Sequence, residues 1–112
     1  MKQKSQRLAV VDRLFPFVLD GSKTSTIRWR EQRVEPGVLT FFNLSDADQT
    51  VSVHVVKCTD MPLSEAAAYL GRAEEWPDDI MLDGMREHYP EIELSSVVQV
   101  IEFDPPAEQT RP

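Results

Sequence analysis

Hydrophobic positions switch between two periods along the chain, and the switches mark its elements. Residues 6–12 (Gln-Arg-Leu-Ala-Val-Val-Asp) predict a first strand. Leu14 to Leu19 predicts a short helix, with Pro16 tolerated because it falls in the first turn. Gly21 closes that helix, since glycine enters the left-handed region at little cost. The text then turns to β-branched residues. Thr24 to Arg30 predicts a second strand. Glu35-Pro36-Gly37 predicts a turn, and Val38 to Asn43 a third strand. Ser45 to Asp48 reads as the polar loop of a hairpin. Thr50 to Lys57 alternates, with Val51, Val53 and Val55 on one face and Ser52, His54 and Val56 on the other.

The later part is helical at first. Met61-Pro62-Leu63-Ser64-Glu65 opens an alanine-rich helix that reaches Leu70 and stops at Gly71. A second late helix starts near Trp76-Pro77-Asp78-Asp79, where Pro77 suits the first helical position and the aspartates suit the positive end of the dipole. It runs to about Tyr89 and ends before Pro90. Ser96 to Phe103 predicts the last strand. The expected order is therefore β-α-β-β-β-α-α-β. Hairpin-linked strands with two late helices suggest an α+β domain: a small, mostly antiparallel barrel of five to six strands with helices at its rim. The mouth of such a barrel suits a small ligand. One domain over residues 1–104 is expected, with 105–112 as a disordered tail rich in proline and polar residues.

Composition adds bounds. A chain of 112 residues, 41% hydrophobic and 28% charged, matches one soluble domain able to bury a core without staples. No apolar run approaches the roughly 20 residues that span a bilayer. No apolar segment follows the basic N-terminus as in a signal peptide. A lone cysteine, Cys58, suits a reducing compartment, so a cytoplasmic protein is expected. The net charge of −7 is unevenly spread. Residues 1–33 hold eight basic and three acidic groups, a net of +5; the rest hold four and sixteen, a net of −12. Such a chain is a poor partner for a long polyanion, although a local basic site against an acidic back is compatible with it. The acidic part otherwise serves as a solubilising surface.

Candidate chemistry concentrates at the joint between the first helix and second strand. Lys23, Thr24, Ser25, Thr26, Arg28 and Arg30 put an amine, hydroxyls and guanidinium groups in one short run. Strand alternation places Thr24, Thr26 and Arg28 on one side and Ser25, Ile27 and Trp29 on the other. Ile27 is the expected core residue, leaving Thr26 and Arg28 on the polar side. A threonine hydroxyl is a nucleophile once a base takes its proton. A lysine is that base only when neutral, which desolvation or nearby positive charge favours. By itself the pattern also fits an ordinary surface strand. Gly21-Ser22-Lys23-Thr24 is no phosphate loop, because the upstream glycine is missing. His54, His88 and Cys58 share no metal-ligand spacing and read as surface, rim or packed residues. Trp29 and Trp76 fit either a stacking surface or the core. Glu74 and Glu75 favour a helix N-terminus, and either could also project into a barrel mouth.

Gly21-Ser22-Lys23-Thr24-Ser25-Thr26-Ile27-Arg28, preceded by Val18-Leu19-Asp20, resembles the signature of ASCH domains, which belong to the PUA-like barrel superfamily. Pro36-Gly37, Ala73-Glu74-Glu75, His88-Tyr89-Pro90 and the strand Val98 to Phe103 extend the resemblance over about residues 7–104. Within that superfamily the chain looks like the small bacterial group of N4-acetylcytidine amidohydrolases, which convert the acetylated nucleoside to cytidine and acetate. The resemblance implies a catalytic trio of Lys23, Thr26 and Glu74, with Glu75 as the carboxylate that a one-residue slip would select. Arg28, Thr24 and Trp76 are then the expected substrate-binding residues. It implies no metal and no cofactor. The partner would be a small nucleoside, with RNA as the alternative, no membrane, and a monomeric chain. Trp76 departs from the polar residue found two positions beyond the glutamate in that group, and is sized to narrow a mouth or stack on a base. The competing reading is an RNA-binding PUA-like module, since such barrels commonly contact RNA and some relatives are proposed to cut single strands. An adaptor role, as in eukaryotic coactivators with this domain, is a third.

Overall fold

A computed structural model of the chain describes residues 6–106. Its elements follow the expected order: β1 (Arg7–Val10), α1 (Phe15–Leu19), β2 (Ser25–Arg28), β3 (Gly37–Asn43), β4 (Asp46–Pro62), α2 (Leu63–Tyr69), α3 (Asp78–Arg86) and β5 (Val97–Phe103). The strands form one five-stranded sheet in the order β1-β3-β4-β5-β2, with β1 and β2 at its two ends. β1 pairs with β3 in parallel, Leu8 opposite Phe41. β3 pairs with β4 antiparallel, Leu39 opposite Val53. None of the helices among the described residues is long and apolar enough to cross a membrane.

The boundaries follow local chemistry. Pro16 occupies the first turn of α1, and Gly21 leaves that helix at φ 84°, where a side chain would be strained. α2 ends at Tyr69, with Leu70 as its cap residue and Gly71 following at φ 75°. α3 carries Asp78 and Asp79 in its first turn and Arg86 in its last, each complementing the dipole. Pro77 precedes that helix as its cap residue, one position before the expected first helical place. β2 is shorter than expected, stopping at Arg28. Arg30 then takes φ 58°, a conformation that cannot continue a strand. β4 runs beyond Lys57 to Pro62, because proline is tolerated at a strand end.

The β3–β4 hairpin corrects the expected loop. Its turn is Leu44-Ser45, and Asp46 already pairs with Asn43. The cause is Asn43, whose side-chain oxygen accepts the Ser45 N–H at 2.9 Å and closes the chain early. The register shifts between Phe42 and Asn43, so Ala47 to Gln49 bulge out of the ladder. The Asn43 amide also donates to Asp12 at 2.8 Å and to Gln49 at 2.9 Å. At 2% exposure this amide has no access to replacement water. Asn43→Ala is therefore expected to destabilise the chain by about 2 kcal/mol, the cost of stranding buried polar partners. A shift in the urea midpoint with unchanged slope would show it.

Packing divides the described residues into two compact units: residues 6–26, 34–58 and 101–106, and residues 27–33 and 59–100. The first has a core of Leu8, Phe15, Val18, Leu39, Phe41 and Val55, with their buried neighbours on β1, β4 and β5. Cys58 packs against it. Val53 and Val55 are buried while Ser52, His54 and Val56 are exposed, as the alternation requires. Buried Gln6 donates to the carbonyls of Glu35 and Val38 and accepts the Glu35 N–H, so β1 is tied to the turn before β3. The second unit is built on Leu63, Ala66, Ala67, Met81, Ile92 and Val98. The expected tail falls mostly on residues 107–112, outside the described residues; Pro106 is buried.

Candidate active site

The joint between α1 and β2 is fixed by backbone bonds. The N–H groups of Asp20 and Gly21 close on the carbonyls of Pro16 and Val18, and the Lys23 N–H reaches the Phe17 carbonyl at 2.9 Å. Lys23 is thereby held against the end of α1, with its residue half-buried. Asp20 stabilises the corner: its Oδ1 accepts the Ser22 hydroxyl at 2.6 Å and the Ser22 N–H at 2.8 Å. These two bonds, the hydroxyl foremost, hold the Asp20 carboxyl below its usual range. Thr24 is exposed, and its carbonyl accepts the Phe103 N–H at 2.9 Å, so the strand is entered from β5.

Thr26 is 6% exposed, the most buried residue of β2. This differs from the expectation that Ile27 would be the core residue. Ile27 is only partly buried, against the core of the second unit. Thr26 is buried while Ser25, Ile27 and Arg28 are only half-buried, so the side that alternation assigned as polar holds the deepest residue of the strand. No buried side-chain nitrogen or oxygen among the described residues lacks a hydrogen-bond partner, which is what makes a buried threonine acceptable here.

The other expected residues belong to the second unit. The Arg28 side chain is only 12% exposed and lies 3.4 Å from Glu31. Glu74 is exposed, in the turn between α2 and α3. Glu75 is also exposed and is engaged by Arg72 at 2.8 Å. That pairing gives Glu75 a structural duty which Glu74 is not seen to share. Trp76 packs against the core of its unit, with the Arg72 guanidinium 5.5 Å from its ring centre. His54 and His88 are exposed. Lys23, Thr24 and Thr26 thus fall in the first unit, and Arg28, Glu74, Glu75 and Trp76 in the second.

Sequence reasoning missed a polar cluster built on Glu31. Its Oε1 meets Arg28, and its Oε2 accepts the phenolic O–H of Tyr89. Burial, then the Glu31 hydrogen bond and charge, push the Tyr89 phenol up to about 12, against a smaller opposing effect of Arg28. The phenol is therefore a constant donor at neutral pH. Its contribution to stability is fully present below the unfolded value near 10 and is lost as pH rises through the folded one. An open cleft of about 620 Å³ also went unseen; Thr59, Asp60, Ser64, Glu65 and Tyr69 are among its lining, and it holds none of the expected site residues. Asp60 there is gripped by Arg33 through both oxygens at 2.6 and 2.7 Å. No local spacing announces the Glu31–Tyr89 or the Arg33–Asp60 contact, because each joins residues far apart in the chain, whereas the cleft is lined from the single stretch 59–69.

A mixed five-stranded sheet with three helices in this order is the fold of a solved ASCH protein. The chain is similar to a solved mutant of ZmASCH from Zymomonas mobilis, with a TM-score of 0.64 and 8% sequence identity, over 87% of this chain. It spans 65% of that protein's length. No protein-family model and no curated protein matches the chain.

Proposed function

We propose that this chain is an amidohydrolase that removes the acetyl group from the exocyclic nitrogen of N4-acetylcytidine. The observation that carries the reading is Thr26: a hydroxyl buried on a short strand, three residues beyond a half-buried lysine whose backbone is pinned to α1. The run from Gly21 to Arg28 that resembles the ASCH signature lies at that joint, on an ASCH fold. In this reading the Thr26 hydroxyl attacks the acetyl carbonyl carbon as Lys23, in its neutral form, takes the proton. The carbonyl electrons move onto oxygen, and Arg28 stabilises that oxyanion. Collapse breaks the carbon–nitrogen bond, and the departing exocyclic nitrogen takes a proton handled by Glu74. Water then cleaves the threonine ester, releasing acetate and restoring the hydroxyl. Thr24 and Trp76 contact the nucleoside. The reaction uses no metal and no cofactor.

Purified protein incubated with N4-acetylcytidine is expected to release cytidine and acetate in equal amounts, followed by chromatography. A folded protein that releases no cytidine would sink the substrate assignment. One observation favours a second reading, an RNA-binding module. Exposed Arg30 sits in the left-handed region with its guanidinium over the Trp29 ring, 4.3 Å from the ring centre, an arrangement that presents a backed, planar charge on which a base can stack. Salt-dependent binding of a short single-stranded RNA, lost in Arg30→Ala, would distinguish it.

A further inference from the structure

The corner after β2 gathers side chains from two distant parts of the chain. Glu31 holds Arg28 through one carboxylate oxygen and Tyr89 through the other. Trp29 meets the Tyr89 ring edge-on, centroids 6.0 Å apart. Arg30 covers Trp29, and its left-handed backbone is a conformation that non-glycine residues adopt rarely. The corner is therefore built around the Glu31–Tyr89 contact, from a residue just past β2 and one just past α3.

A purely mechanical tie would not need this chemistry. Withdrawing a guanidinium and a carboxylate from water is costly, and an apolar pair of similar size would hold such a corner as well or better. Yet the Arg28 side chain is largely withdrawn at 12% exposure, while Glu31 is an exposed residue whose side chain keeps 31% of its surface open. The phenol matters too. A carboxylate shared between a guanidinium and a fixed O–H donor has fewer orientations than one bound to a guanidinium alone, and so does the guanidinium.

The geometry points to Glu31 and Tyr89 as positioning residues for Arg28, their carboxylate and phenol fixing its guanidinium for an oxyanion formed on the substrate. The oxyanion rests on the amidohydrolase reading; the fixing of Arg28 does not. Donors aimed at a developing charge are effective because they are already in place. Loosening such a donor costs turnover while leaving ground-state binding nearly intact.

The test has two independent readouts. The first is the Nη1–H signal of Arg28, the nitrogen that meets Glu31, in nuclear magnetic resonance of the purified protein at low temperature. It is expected to be sharp and slowly exchanging in the wild type, broadened in Tyr89→Phe, and lost to exchange in Glu31→Gln. A signal unchanged in Glu31→Gln overturns the proposal, whatever the protein's substrate. The second is kinetic, with N4-acetylcytidine. Glu31→Gln is expected to lower kcat about tenfold with KM within about twofold, less than the roughly 10²–10³ lost with a whole oxyanion donor. In an Arg28→Ala background the same change should have no further effect. Equal losses in both backgrounds would show that Glu31 acts elsewhere and would overturn the proposal. Should Glu31→Gln fold poorly, Tyr89→Phe carries both readouts, with smaller effects in the same direction. A wild type without turnover sinks the amidohydrolase reading, and the Arg28 signal still decides whether Glu31 and Tyr89 hold it.

Discussion

Thr26→Val is expected to lower cytidine release from N4-acetylcytidine by at least about 10³-fold, the scale of losing an attacking nucleophile. Valine keeps the branched shape and removes only the hydroxyl, so it isolates the chemistry from the packing. Thr26 is 6% exposed, and removing a buried hydroxyl costs about 1–3 kcal/mol of stability. A thermal melt must accompany the assay, and the variant should remain folded at the assay temperature. Thr26→Ser restores an oxygen in nearly the same place and is expected to recover measurable turnover. Lys23→Met should produce a comparable loss, and the double variant should be little worse than either alone, because base and nucleophile act as one unit. Thr26→Val retaining turnover within tenfold of the wild type would remove Thr26 from the reaction. Lys23 and Glu74 would then have to act on water directly.

The largest stability loss is expected from Phe41→Ala, at about 4 kcal/mol. Phe41 is fully buried on β3, and its ring lies 5.1 Å from that of Phe103, tilted by 58°. Truncation removes a large apolar side chain and leaves a cavity that neighbouring strands cannot fill without breaking their ladders. It also removes a ring pair worth about 0.5–1.5 kcal/mol beyond its buried area. Domains of this size are stable by only about 5–15 kcal/mol, so the variant should unfold at markedly lower urea. Phe41→Leu keeps an apolar side chain and should lose much less. A midpoint for Phe41→Ala near that of the wild type would mean that the core is not centred on β3.

How much of this was legible in the sequence depends on the range of the interaction. Gly21 and Gly71 sit at φ 84° and 75° where the text placed helix ends, because a left-handed residue announces itself locally. Val51, Val53 and Val55 declared the inward face of β4 by their spacing, although the strand itself ran on to Pro62. The hairpin loop was misplaced because a polar cluster, Ser45 to Asp48, suggested a turn that the Asn43 side chain had already made. The candidate site was legible as a run, Lys23 to Arg28, but not as an arrangement. Thr26 was assigned to the right strand, yet its depth was missed, since a polar residue in an alternating run reads as outward and its burial depends on what packs over it.

By its own pattern, then, the sequence determined the eight elements in order, the helix-to-strand joint that carries Lys23 and Thr26, and the uneven charge along the chain. These depend on propensity, turn geometry and periodicity, which act over a few residues. Only the tertiary structure decided the parallel pairing of β1 with β3, the place of β2 at a sheet end, the burial of Thr26, and the convergence of Arg28, Glu31 and Tyr89. Glu31 and Tyr89 are separated by 58 positions. A hydrogen bond across that distance is set by how whole elements pack, and no local pattern in the chain encodes it.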